Sequence, residues 1–215
     1  PRTHVLLGRR SDAVGTYAGR WAGVSGYVEG DPADAEADAS REIREETGRT
    51  DATLVRAGDP LDVDDGDRTW TVHPFLFDVA DRTVEPNEEI AAHEWVSPPA
   101  IRERPTVPGL WDAYAAVAPT VETVRDDETH GSAWISVRAL DVLRDRAATA
   151  DSMTPVVAVA RELRDIRPSM AAVANRVNRV LATAERTPAA VQERAEAAAE
   201  AALDDDDAAA TLAAE

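Results

Sequence analysis

The stretch Gly26-Tyr-Val-Glu-Gly-Asp-Pro-Ala-Asp-Ala-Glu-Ala-Asp-Ala-Ser-Arg-Glu-Ile-Arg-Glu-Glu-Thr-Gly48 carries most of the information on the fold of this 215-residue chain. Asp31 followed by Pro32 is typical of a helix start, because aspartate caps free backbone N–H groups and proline fits the first helical position. Gly48 is typical of a helix end, since glycine readily adopts the left-handed backbone that closes many helices. The segment therefore predicts a helix of about four turns between these residues.

Three glutamates of this predicted helix share one face. Glu42, Glu45 and Glu46 are spaced i, i+3 and i+4, and this spacing brings side chains together on a helix surface. Like charges so placed destabilise a helix by about 0.2–0.5 kcal/mol per pair. A hard divalent cation such as Mg²⁺ would offset that repulsion. The glutamates alone leave open a solvated acidic helix face, because the chain has 41 acidic residues.

The residues around the glutamates resemble the Nudix box, G-x5-E-x7-R-E-U-x-E-E-x-G-U. Arg41–Gly48 matches the second half of that pattern position by position. Other segments are similar to those that flank the box in the family: Val5–Arg10, Trp21–Glu29, Glu85–Ile90 and Trp95–Ser97. The resemblance covers about residues 3–118 and implies a Nudix fold, an α+β structure built as an α/β/α sandwich with a mixed sheet.

The resemblance implies a chemistry for the acidic face. Nudix enzymes hydrolyse a nucleoside diphosphate linked to another moiety, and they use Mg²⁺ or Mn²⁺. In this chain Glu42, Glu45 and Glu46 would bind the metal, and Ser25 would offer its backbone carbonyl. The metal would neutralise pyrophosphate charge and activate a water molecule for in-line attack.

Catalytic roles follow from the same resemblance. Arg41 would brace the carboxylates by ion pairing, with a plain surface ion pair as the alternative. Glu45 would act in catalysis as well as in metal binding. Glu89 aligns with a loop glutamate that serves as ligand or base in some members, and a solvated loop acid beside Glu88 is the equal alternative.

The chain also departs from the Nudix pattern. The interval from Gly26 to Arg41 is one residue longer than the pattern, and the first glutamate of the box falls on Ala33. Asp31 or Asp34 would have to stand in for it, and Ser25 replaces the first of the usual paired glycines. These departures keep a second hypothesis open, a non-catalytic module that senses a nucleotide or sugar phosphate.

Strand-like runs in the first part and helical periodicity in the second predict a division near residue 119, giving domains 1–118 and 119–215. We predict strands at His4–Arg9, Trp21–Val28, Ala52–Val63, Thr69–Val79 and Glu94–Ser97, with a helix at Val107–Val117. Asp64-Asp65-Gly66-Asp67 predicts a hairpin turn. Further helices are predicted at Ala133–Ala147, Ser152–Ile166, Ser169–Ala184 and Pro188–Leu203.

The second part resembles a different family. The stretches Thr129–Trp134, Ala160–Ala171 and Asn175–Asn178 are similar to the N-terminal helical domain of initiation factor 2B-like proteins, which include regulatory subunits and sugar-phosphate isomerases. That family's Rossmann-like domain would follow these helices, so we expect a truncated chain without isomerase activity. The helices would mediate a homodimer or an assembly with an initiation factor 2B-like protein. Alternatively, the chain would be a pure interaction protein. Arg167 either lines a phosphate site or caps a helix end.

Composition excludes several classes of function. The net charge is −18, all 23 basic residues are arginine, and cysteine is absent, so disulfides and thiolate metal sites are excluded. So acidic a chain is a poor partner for DNA, and no apolar run is long enough for a membrane span. We expect a cytoplasmic protein of halophilic type that binds a small molecule. Trp70, Phe75 and Trp111 either stack on a base or pack in the core, and we predict the core.

Overall fold

The computed structural model describes residues 3–213, with side chains up to Asp205. The chain folds into two compact units that meet between Ala118 and Pro119. The first unit combines strands and helices, and the second is helical. The expected α+β content and helical C-terminal region are therefore confirmed, whereas the layering of the sandwich stays a prediction.

Strands of the first unit pair in three small groups. The central group is β2 (Trp21–Ala22), β1 (Val5–Arg10) and β7 (Ile90–Val96), in that order and antiparallel. The other two are β3 (Thr53–Ala57) with β6 (Phe75–Asp78), and β4 (Leu61–Asp64) with β5 (Thr69–Val72). Trp21 adds one parallel bridge, to Thr106.

The predicted hairpin is present, but four predicted strands are wrong in extent, including the one at 94–97, which is β7 and begins at Ile90. β4 and β5 pair through the turn at 64–67, where the Asp65 N–H donates to the Arg68 carbonyl. The predicted strand at 52–63 is two strands, and the one at 69–79 is divided by His73-Pro74 because proline cannot donate to a ladder. The predicted strand at 21–28 has only two paired residues, and the rest is loop.

The helix predicted between Asp31 and Gly48 is present, and both of its predicted end signals are used. The Asp31 side chain accepts from the Ala33 N–H at 2.9 Å and starts a 3₁₀ turn at Pro32–Asp34. Helix α1 (Ala35–Thr47) continues from that turn. Gly48 ends it with φ of 72° and donates its N–H to the Arg44 carbonyl.

A small apolar core supports the central strands. Leu7, Val96 and Ile101 are buried together, and Trp111 packs against them. Ile101 belongs to a 3₁₀ segment, Pro98–Glu103, and Trp111 lies on α2 (Leu110–Val117). Trp111 is therefore a core residue, as predicted.

Five helices make up the second unit: α3 (Val121–Asp126), α4 (Ser132–Ala148), α5 (Met153–Asp165), α6 (Ala171–Thr183) and α7 (Pro188–Ala213). Ile135, Leu140 and Leu143 of α4 are fully buried among valines and alanines of the other helices. An ion pair of Asp141 and Arg144 is also buried on α4, at 2.7 Å. The helical periodicity seen in the sequence is confirmed.

Arg167 contacts backbone rather than an open site. Its Nε donates to the Val124 carbonyl at 3.0 Å, and its Nη2 donates to the Asp127 carbonyl. These carbonyls lie at the C-terminal end of α3, where free acceptors need donors. Arg167 thus caps a helix end, which is the simpler of its two predicted roles.

Among residues 3–213, no helix combines the length and apolar character that a membrane crossing requires.

Candidate functional site

The C-terminal half of α1 packs against the loop that follows β2. Glu46 is only 6% exposed, and its Oε1 accepts the Ser25 N–H at 3.3 Å. An added Cβ at position 26 would overlap the Glu42 side chain in its present position, so glycine lets the loop and this carboxyl group approach closely. Ser25 and Gly26 thus fix two of the three predicted metal ligands, Glu46 and Glu42, against one loop.

Arg41 lies within a ring of acids. Its Nη1 donates to Asp38 at 2.7 Å, and its Nη2 donates to Glu42 at 3.1 Å. Glu29 and Glu45 lie farther away, at 3.6 and 3.9 Å. The hydrogen bonds to Glu42 and Asp38 raise the pKa of Arg41 above its usual value. The guanidinium therefore orients Glu42, as a bracing residue would.

Asp38 is a partner of Arg41 that the sequence analysis missed. Its carboxylate is buried, accepts the Glu29 N–H at 2.8 Å and bonds Arg41. Asp31 is used in capping, and Asp34 is exposed, so neither substitute considered for Ala33 contacts the arginine. The i, i+3 spacing of Asp38 and Arg41 was the available signal.

Burial makes Glu46 a weak acid. The pKa of Glu46 is raised to about 7, mainly by burial and also by the charges of Glu89 and Glu42, whereas the Ser25 N–H and Arg10 lower it. A neutral or shared proton is the usual result of grouping carboxylates in a dry site. The charges of Glu46 and Glu89 thus interact, although the two residues are 43 positions apart in the sequence.

A narrow cleft opens beside these two glutamates. Its walls come from β1, the loop after β2 and the start of β7, and they include Gly8, Arg10 and Gly23. Arg10 donates from Nη1 to the Ser25 hydroxyl at 3.1 Å and from Nε to the Thr16 carbonyl at 2.9 Å. The Arg10 guanidinium, oriented by these two hydrogen bonds, therefore lines the cleft together with Glu46 and Glu89. Arg10 is a second residue that the sequence analysis did not single out.

Glu45 departs from the other predicted ligands. Its side chain is 58% exposed, and Arg41 is its nearest ion-pair partner, at 3.9 Å. Within residues 3–213 no three acidic or histidine side chains are gathered closely enough to form a metal cluster. The residue types suit a hard divalent cation, because the charges of Glu89 and Glu42 act on the Glu46 carboxyl group and a cation would offset that repulsion.

Comparison with known families agrees with this geometry. A family model described as the NUDIX domain matches residues 1–117. The match covers more than half of the chain, so the chain belongs to the Nudix family.

The chain is also similar to a solved structure. That structure is a Nudix hydrolase from M. smegmatis, RenU, with 26% sequence identity over 52% of this chain and 70% of that one, and a TM-score of 0.42. No curated protein matches the chain.

Proposed function

We propose that the first unit is a Mg²⁺- or Mn²⁺-dependent pyrophosphohydrolase that cleaves a nucleoside diphosphate linked to another moiety. Membership of the Nudix family supports hydrolysis of pyrophosphate bonds in general. The observation that carries the proposal is Glu46, a nearly buried carboxylate held by the Ser25 N–H beside Glu42 and Glu89. Burying a carboxylate beside two others is energetically unfavourable, and such placements are typical of functional sites.

Each residue of the site has a role in this proposal. Glu42, Glu45 and Glu46 would hold the divalent cation, with the Ser25 carbonyl as a further oxygen donor. The cation, when bound, supplies charge neutralisation and a more acidic water molecule. Glu89, at the edge of the cleft, would accept a proton from that water.

The arginines and Asp38 act on position and charge. Arg41 keeps Glu42 oriented, and Asp38 keeps Arg41 in place while tying down the Glu29 backbone. Arg10 would face the phosphate oxygens, since guanidinium groups pair well with phosphate. These residues are positioning and binding groups that need no change of protonation.

A second candidate function is a nucleotide or sugar-phosphate sensor without turnover. The exposure of Glu45 and the alanine at position 33 favour it, because one predicted ligand is largely exposed and the first glutamate of the Nudix pattern is replaced. The contact of Asp38 with Arg41 favours the hydrolase, since it supplies a carboxylate to that arginine.

For the second unit we propose a role in assembly, as a homodimer or with a two-B-like partner. The support is the likeness of residues 129–178 to initiation factor 2B-like proteins and a well-packed helical core around α4. The contacts of Arg167 with the end of α3 give no support to a phosphate site there. The halophilic type is also proposed, on the charge of −18 and the all-arginine basic set.

A substrate panel tests the hydrolase. The full chain is incubated in high salt with Mg²⁺ and nucleoside diphosphate derivatives, and product formation is followed by chromatography. We expect hydrolysis that EDTA abolishes, that Glu46→Gln reduces by about 10²-fold or more, and that Glu36→Gln leaves unchanged. Glu36 is the matched control, because it is an exposed glutamate on the same helix.

Binding distinguishes the two candidates. Folded protein that binds ADP-ribose by calorimetry yet hydrolyses no member of the panel would support the sensor and contradict the hydrolase. Equal turnover by Glu46→Gln and the unmodified chain would remove Glu46 from the mechanism.

A further inference from the structure

An exposed tyrosine, Tyr27, pairs with the half-buried Trp70 directly after the loop residues Ser25 and Gly26. Tyr27 is 69% exposed and is the most exposed large hydrophobic side chain of the described residues. Its ring centroid is 6.0 Å from that of Trp70, with the planes inclined at 47°. Exposing so large an apolar surface is unfavourable in water, so the pair calls for a function beyond packing. We call Tyr27 and Trp70 the aromatic slot.

Trp70 is fixed by its polar end. Its indole Nε1 donates to Asp65 Oδ2 at 3.0 Å and lies 3.1 Å from the Tyr17 hydroxyl, which itself donates to Asp65. The N–H groups of Asp67 and Arg68 donate to the other carboxylate oxygen. These hydrogen bonds hold the pKa of Asp65 well below its ordinary value. The indole is therefore held in one orientation before any ligand arrives.

The backbone of Tyr17 adopts an unfavourable conformation in this arrangement. Its φ is 54°, in the left-handed region that non-glycine residues rarely adopt. Strain of this kind persists where the surrounding structure requires it, and it collects at binding sites. In this case the strained residue presents its hydroxyl group to the carboxylate that orients Trp70.

The remaining ring surfaces suit a flat ligand. Two parallel rings stack at a spacing of about 3.5 Å between contacting atoms, so a base between two rings needs them about 7 Å apart. The rings now lie 6.0 Å apart at 47°, so the exposed Tyr27 side chain would have to reorient to admit a base between them. The guanidinium of Arg68 lies 5.1 Å from the Trp70 ring centroid and adds positive charge at the slot.

The location of the slot selects the ligand. Tyr27 directly follows Gly26, the residue that packs on the Glu42 carboxyl group. A molecule with a flat ring at Tyr27 and a pyrophosphate at Glu42 and Glu46 is a nucleoside diphosphate. Tyr17 and Arg68 come from other parts of the first unit, so the slot and the acids are built by one domain.

We propose that Tyr27 and Trp70 stack on the nucleobase of the substrate and that Arg68 assists by its positive charge. This inference rests on the proposed function, since it places the pyrophosphate of the same molecule on the divalent cation that the α1 glutamates would hold. The sequence left base stacking open for Trp70 beside core packing, and we propose stacking because the indole is half-buried and its ring contacts the exposed Tyr27.

Two ligands that differ only in the nucleoside test the slot. ADP and inorganic pyrophosphate are titrated into the full chain with Mg²⁺, by calorimetry. We expect Tyr27→Leu to weaken ADP binding by about 5- to 150-fold and to leave pyrophosphate binding unchanged. Tyr27→Phe should keep ADP affinity, because it keeps the ring. Val55→Ala is the control for loss of an exposed apolar side chain.

Fluorescence supplies an independent readout. ADP stacked on Trp70 should quench tryptophan emission, and Trp70→Phe should remove most of that quenching while the protein stays folded by circular dichroism. Unchanged ADP affinity in Tyr27→Leu would overturn the slot and leave the hydrolase standing. If neither ADP nor pyrophosphate binds and no substrate is cleaved, the proposed function fails and the slot fails with it.

Discussion

At the scale of single residues, the site depends on a carboxylate placed where its charge is costly. Glu46 is buried against Ser25, and burial raises its pKa to about 7. Glu42 is held differently, by the Arg41 guanidinium, whose own position depends on Asp38. Glu46 is therefore buried and Glu42 is oriented by an ion pair, so the two glutamates sit in different surroundings on one helix face.

The stability of the metal-free protein should depend on pH through Glu46. The folded pKa is raised from 4.5 to about 7, so between these values the folded state binds more protons than the unfolded chain. Stability therefore falls as pH rises through this window, by up to about 3 kcal/mol. Urea unfolding in EDTA at stepped pH measures it.

Two variants isolate that effect. Glu46→Gln should flatten the slope between pH 4.5 and 7, since the amide does not titrate, and Glu36→Gln should leave it intact. The same slope in all three proteins would show that Glu46 is solvated in the folded state.

At the scale of elements, α1 forms because its two ends carry strong local signals. Asp31 caps the first turn, and Gly48 ends the helix in the left-handed conformation. The end is crowded as well, because a side chain at Gly48 would lie 3.0 Å from the Glu85 Cβ. The helix end thus fixes where the acidic face stops relative to the loop at Glu85.

Gly48→Ala should lower the free energy of unfolding by about 1–2 kcal/mol. The cause is the left-handed backbone together with the close approach of Glu85. Thermal unfolding measures the change, and Gly15→Ala is the control, because nothing lies within 4 Å of that position and its φ is ordinary. Equal stabilities of the two variants would show that the cap has little weight in the folded state.

At the scale of the whole molecule, charge is the dominant feature. A net charge of −18 on 215 residues means that compaction brings like charges together, and salt screens that repulsion. Ion pairs offset part of it, for instance the buried Asp141–Arg144 pair and the acids around Arg41. Most of the remaining acids face solvent.

The melting temperature should rise as KCl increases from about 0.1 M to about 1 M, where the screening length falls from about 10 Å to about 3 Å. The double variant Asp204→Asn, Asp205→Asn should show a shallower rise, because both residues are exposed members of an acidic run. A melting temperature that is flat or falls with salt would contradict self-repulsion as a controlling term.

The sequence by itself determined the features that depend on neighbours a few residues apart. Helix α1 with its two caps, the hairpin at 64–67, the helical second unit and the Nudix family all follow from short patterns of residues. Such patterns can be read directly because hydrogen bonds and side-chain spacing within one element are fixed by local geometry.

Only the tertiary structure decided which distant groups meet. It brought Glu89 and Arg10 to Glu46, placed Tyr27 against Trp70 across 43 positions of sequence, and turned Glu45 toward solvent. It also gave Arg41 a partner, Asp38, that the sequence pattern did not single out. These outcomes depend on how loops pack against strands and on the energy of burying charged groups together. Both involve residues far apart in the sequence, so no single stretch of sequence indicates them.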